Sequence, residues 1–135
     1  MRLHVFAIAL GLLMASAPVL AAGSPLSPTL AAMLERQALA NSISLYQAGQ
    51  GNSAVVTQGG QANWLLLAQM GQNNVAVLHQ QGENNSANVL QLGRDNRADI
   101  SQLGNDNQIT LGQWGRSGFT IEQLGNGADI TVLQY

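Results

Sequence analysis

The stretch Gln47, Ala48, Gly49, Gln50, Gly51, Asn52, Ser53, Ala54, Val55, Val56, Thr57, Gln58 decides how the rest of the chain is read. It begins and ends on Gln, carries Gly two residues in and Asn five in, and closes with small and apolar residues. The same frame continues along the chain. Gln returns every eleven residues at Gln58, Gln69, Gln80, Gln91, Gln102 and Gln113, then at Gln123 after ten and Gln134 after eleven. Two residues after these stand Gly49, Gly60, Gly71, Gly82, Gly93, Gly104, Gly115 and Gly125. Five residues after stand Asn52, Asn63, Asn74, Asn85, Asn96 and Asn107. Seven after come Ala54, Leu65, Ala76, Ala87, Ala98 and Ile109, and nine after come Val56, Leu67, Leu78, Val89, Ile100 and Leu111. Run backwards, the frame places Asn41, Ile43 and Leu45 ahead of Gln47, so nine strand-like segments span Asn41 to Tyr135.

Within a unit the two apolar residues and the Gln alternate, so all three point to one face of a strand. The Gly and Asn between strands read as turn residues, Gly because it permits positive φ and Asn because it tolerates it. An eleven-residue period also suits a supercoiled helix, but a Gly in every unit would cost that helix about 1 kcal/mol each time. One strand and one turn cannot bury an apolar face. Two units facing each other as a strand, turn, strand arch of 22 residues can, provided the next arch stacks on top. The expected fold is therefore an all-β, cross-β solenoid with strands roughly 4.7 to 4.8 Å apart along the stack. Gln47, Gln69, Gln91 and Gln113 then form one buried amide column and Gln58, Gln80, Gln102 and Gln123 another. Each amide can donate to one neighbour and accept from the other, which offsets the cost of burial. The short unit after Gln113 loses its residue within Gly115 to Phe119, in the turn, so the strand carrying Phe119, Ile121 and Gln123 keeps its face.

Composition excludes several functions. The chain has 135 residues, of which 46% are hydrophobic but only 9% charged and 4% aromatic. Gln and Asn supply 27 residues, so amides replace charge as the main polar chemistry. There is no Lys and the net charge is -2, which leaves no basic stripe for nucleic acid. Cys is absent, which removes disulfides and thiolate chemistry. Past the first residues the one His is His79, on an outward strand position with no acid and Ser partner assignable from spacing. Asp95, Asp99 and Asp106 lack the spacing of a calcium-binding β-roll and read as solvated charges that limit sticking. Outward positions such as Ser42, Ser44, Ser53, Val55, Trp64 and Leu66 form no Thr array of the kind that orders ice. No catalytic residue, metal ligand or cofactor motif emerges.

The first 22 residues read as a secretory signal, with Arg2, the apolar run Val5 to Met14, and Ala15, Pro18, Ala21 and Ala22 as its small-residue end. Residues 23–40 lack the eleven-residue frame and form a non-repetitive leader, with Ser27 and Pro28 opening a short helical pattern through Leu30, Met33, Leu34 and Ala38. The repeat domain is 41–135.

Asn41, Gln47, Gly49, Gly51, Asn52, Ala54 and Gln58 resemble the curlin repeat, which runs Ser, five residues, Gln, x, Gly, x, Gly, Asn, x, Ala, three residues, Gln. Asn41 stands where that family favours Ser, and the second Gly is replaced later by Ala62, Asn73, Asn84, Asp95 and Asp106. The resemblance implies a secreted subunit of curli, the extracellular amyloid fibres of bacterial biofilms, exported through an outer-membrane channel and joined to itself and to other curli subunits with surface assembly factors. The segment Gln58, Gly59, Gly60 with Trp64 to Gln69 resembles the minor, nucleating subunit, whereas the Gln134, Tyr135 ending resembles the major, elongating one. A monomeric secreted binding solenoid is the competing class. It would need polar caps to block further stacking, and the strand Ile130, Val132, Gln134 has none after it.

Overall fold

The computed structural model describes residues 6–9 and 40–135. The strands are β1 (Phe6–Ala9), β2 (Ser42–Gln50), β3 (Ser53–Gln61), β4 (Trp64–Gln72), β5 (Val75–Glu83), β6 (Ser86–Arg94), β7 (Arg97–Leu103), β8 (Gln108–Gly115), β9 (Gly118–Leu124) and β10 (Asp129–Gln134). Successive strands fall on alternate sides. One sheet runs β1-β3-β5-β7-β9 and the other β2-β4-β6-β8-β10. Pairing is parallel throughout, and from β2 to β8 each paired residue lies beside its counterpart 22 positions on, as in Gln47 beside Gln69 and Ala54 beside Ala76. This is a β-solenoid of about four turns, as the period predicts.

The nine expected strands are β2 to β10. β1 is an addition, four residues of the apolar run near the N-terminus lying parallel on β3 with Phe6 beside Ser53 and Ala9 beside Val56. The open edge of β3 presents unpaired backbone groups, which an extended apolar segment can satisfy. The rest of the expected signal and residues 23–39 of the expected leader lie outside the described residues.

The core is a single narrow seam. Ala54, Val56, Leu65, Leu67, Ala76, Leu78, Ala87, Val89, Ala98, Ile100, Ile109, Leu111 and Ile121 are buried, with Ile43, Leu45, Phe119, Ile130 and Val132 half-covered at the two ends. The half-burial is a property of end coils, because each coil is covered only by its neighbours. The ten-residue unit shortens the step without breaking it. Gly118 lies beside Arg97, Gln123 beside Gln102 and Asp129 beside Gln108, each 21 positions on.

The turn chemistry differs from expectation. The Asn five residues after each Gln does not take positive φ. That conformation falls on the preceding residue, with φ near +55 to +58° at Ala62, Asn73, Asn84, Asp95 and Asp106 and +69° at Gly51. Asn and Asp visit this region at modest cost, but for Ala it is unfavourable by about 1 to 2 kcal/mol. Ala62→Gly is accordingly expected to raise fibre stability by about 1 kcal/mol or slightly less, since Gly loses more backbone freedom on ordering. Denaturant midpoints of the fibres check it, and a destabilised variant would show that the methyl of Ala62 contributes packing that outweighs its strain.

Candidate functional site: amide ladders and open ends

The Gln residues of alternate units meet inside the seam. In one column Gln47 Nε2 donates to Gln69 Oε1 at 2.5 Å, Gln69 to Gln91 at 2.7 Å and Gln91 to Gln113 at 2.8 Å. In the other, Gln58 donates to Gln80 at 2.7 Å, Gln80 to Gln102 at 2.7 Å and Gln102 to Gln123 at 3.0 Å. The second amide hydrogen crosses the core to a carbonyl at the start of the facing strand, as from Gln69 to Ser53, Gln91 to Val75 and Gln102 to Ser86. Both donors and the acceptor are thus used at Gln69, Gln80, Gln91 and Gln102, and Gln113 accepts from Gln91 and donates to the carbonyl of Arg97, which is why these five side chains can sit at 0% exposure.

The Asn residues form a second pair of columns at the corners. Asn74 donates through its backbone N and its Nδ2 to Asn52 Oδ1, both at 3.1 Å, and Asn85 does the same to Asn63 at 3.0 Å. Asn96 repeats it on Asn74, and the backbone N of Asn107 donates to Asn85. The same Nδ2 groups also hold carbonyls of the turn, as from Asn63 to Gly59 and Gly82. These Asn side chains are therefore buried ladder members that happen to sit at bends. The two sets have opposite polarity. Gln donates toward the following coil and Asn donates toward the preceding one.

Glycine spacing allows the coils to approach. Gly71 has φ +124°, and a Cβ there would collide with the carbonyl of Gly93, while Gly82 at φ +123° would collide with that of Gly104. Gly115 and Gly125, further toward the last coil, have positive φ but open space around them.

The ends are unfinished. Among the described residues, Gln47 Oε1, Gln58 Oε1 and Gln134 Oε1 are buried acceptors with no partner. Gln134 lies beside Gln113 in register, yet Gln113 Nε2 donates to the carbonyl of Arg97. At the far end the Asn columns give way to Ser117, which bonds Asn96 Oδ1 through its N and Oγ, and to Ala128, which bonds Asn107 Oδ1 through its N.

The remaining polar groups are scattered. His79 is half-buried on the outer face, with Thr57 and Ser101 beside it in neighbouring strands. Asp95 accepts from Asn73 and faces Arg116 at 3.8 Å, Asp99 faces Arg97 at 3.8 Å, and Asp106 accepts from Asn84 at 2.7 Å. These three carboxylates stand in different surface columns. The pattern also hides one aromatic cluster: Trp114 and Tyr135 stack with centroids 5.0 Å apart and planes 12° apart, and the Trp114 ring lies where a Cβ on Gly112 would be. The signal for it was the 21-residue spacing of the two rings combined with a Gly at an outward strand position.

The stretch from Gly82 to Gly115, which carries three ladder Gln residues and three full strands, matches the family model described as the curlin associated repeat, over residues 82–115. Within residues 82–115 the chain carries a curlin-type repeat. A search of the curated proteins returns no match. The repeat and the β-solenoid together support a structural subunit of the curli type, and the units on either side of the matched segment stack in the same register.

Proposed function

We propose that this protein is a curlin, the minor subunit that nucleates curli fibre growth at the cell surface, for adhesion and biofilm matrix. On this reading residues 1–22 direct export and are removed, residues 23–40 are a leader, and 41–135 carry assembly. The unfolded chain leaves through the outer-membrane curli channel and meets other curli subunits and surface assembly factors outside. The ladder residues Gln47 to Gln134 and Asn52 to Asn107, with the Gly turns, are the stacking machinery.

The observation that carries the nucleating role is the character of the first coils. From Gln37 to Gln81 there is no Asp, Glu, Lys or Arg, whereas Glu83, Arg94, Asp95, Arg97, Asp99, Asp106, Arg116, Glu122 and Asp129 all lie beyond. On the outer faces of those coils Val55 and Trp64 are 43% and 41% exposed, with Leu66, Val75 and Val77 half-buried beside them. Uncharged apolar strands template cross-β addition, and scattered charge slows it. The expected result is that a small amount of this protein abolishes the lag of an abundant co-secreted repeat protein, and that Val55→Lys with Trp64→Glu restores most of the lag. Elongation of existing seeds with the lag unchanged would reassign the chain as the major subunit. A persistent monomer would make it a binding solenoid.

A further inference from the structure

The described repeat strands number nine, and two strands make a coil, so the unit from β2 to β10 contains half a coil more than a whole number. One sheet holds five of these strands, β2 to β10 by even number, and the other holds four, β3 to β9. If an incoming copy kept the same orientation, its β2 would lie on β10, and its β3 would face β9 across a missing strand. That gap would leave backbone N–H and C=O groups unpaired on one side of every junction.

We propose that successive copies in the fibre are related by a half turn about its axis, so that β2 of the incoming copy lies on β9 and its β3 lies on β10. This rests on the reading that the chain polymerises and that residues 1–22 leave on export, which frees the edge of β3 that β1 covers. Both sheets then continue without a gap, each alternating five strands from one copy with four from the next.

The amides fit this arrangement. The two buried acceptors without partners at the leading edge are Gln47 Oε1 and Gln58 Oε1. Every Gln ladder bond runs from an Nε2 to the Oε1 one coil further on. Continuing that polarity, the acceptor on Gln47 takes Nε2 of Gln123 and the acceptor on Gln58 takes Nε2 of Gln134, so both columns close with one donor each. The corner residues discriminate between the orientations. Asn ladder members donate to the side chain of the coil before. The half turn sets Asn41 over Ser117, whose hydroxyl can accept, and Asn52 over Ala128, which has no side-chain acceptor, whereas the unrotated copy sets Asn41 over Ala128 and leaves Asn52 facing Ser117 across the missing strand, so that neither corner closes.

Helical reconstruction of fibres recovered from the secreting cell tests the proposal. At a strand spacing of about 4.8 Å, the half turn predicts a rise per subunit of about 22 Å with a rotation near 180°. The unrotated alternative, with the missing strand filled by the leader or another segment, predicts about 24 Å and little rotation. Cysteine pairs give an independent readout in a chain that has no Cys. In mixed fibres of two single variants, Thr120→Cys and Ser44→Cys should be joined by a short bifunctional thiol reagent, and Thr131→Cys and Ser44→Cys should not. Fibres with the longer unrotated repeat, or linkage of the second pair alone, overturn the half turn while leaving polymerisation intact. A chain that never forms fibres overturns both.

Discussion

Gly71→Ala should abolish fibre formation under conditions where the parent chain assembles fully. The new methyl meets the carbonyl of Gly93 in the next coil, a backbone atom that cannot swing aside, and the residue sits at φ +124°, where L side chains are strained. Strain of this kind is worth roughly 1 to 3 kcal/mol and overpacking a similar amount, so the combined loss is on the order of 3 kcal/mol or more per coil. Losses of that size are large against the stability of a small domain, and in a solenoid they fall on every interface the coil makes. Gly82→Ala should behave alike through the carbonyl of Gly104. Gly118→Ala is the control, since a Cβ there meets nothing within 4 Å. Its fibre yield should stay near that of the parent, the expected range being within about 0.5 kcal/mol. Normal assembly of Gly71→Ala, followed by dye fluorescence and by sedimentation, would mean that the coils do not pack with their glycine turns in contact.

The architecture was legible because a period of eleven with alternation inside it admits few folds. Ile43, Leu45 and Gln47 share a face, and a 22-residue register is the smallest step that brings Gln47 beside Gln69. That the Gln residues share columns follows from the same arithmetic, whereas the role of those columns in assembly is a proposal. Other features were hidden for physical reasons. Asn52 followed by Ser53 has the composition of an exposed turn, and only its place directly under Asn74 explains why it is buried. Ala62 gives no local sign of a left-handed backbone. Its alignment with Gly51 in the repeat was the available clue, and it was obscured because Asn73, Asn84, Asp95 and Asp106 fill the same position with different chemistries. The Phe6–Ala9 strand could not be anticipated from composition at all, because a continuous apolar run carries no strand-specific alternation and takes its conformation from the edge it meets.

Gln91→Ala should be among the most damaging single changes in the core, although it removes a polar side chain from an apolar seam. Gln91 is fully buried, receives a hydrogen bond from Gln69, donates to Gln113 and donates across the core to Val75. Its loss strands a donor on Gln69 and an acceptor on Gln113, each costing on the order of 1 to 3 kcal/mol, and leaves a void where the side chain lay. Gln91→Leu fills the void but strands the same two groups, so it should recover only the packing part. The sign changes when the column is treated as a unit. With Gln47, Gln69, Gln91 and Gln113 all replaced by Leu, none of the three hydrogen bonds that link them leaves a stranded partner, and the total loss should be well below four times that of Gln91→Leu. Outward Asn88→Ala, at an exposed position in the same strand, should cost little. Denaturant midpoints of fibres formed by each variant distinguish these cases. If the four replacements simply add, or if Gln91→Ala matches Asn88→Ala, the amides are stabilising the seam as separate residues and not as a continuous hydrogen-bonded column.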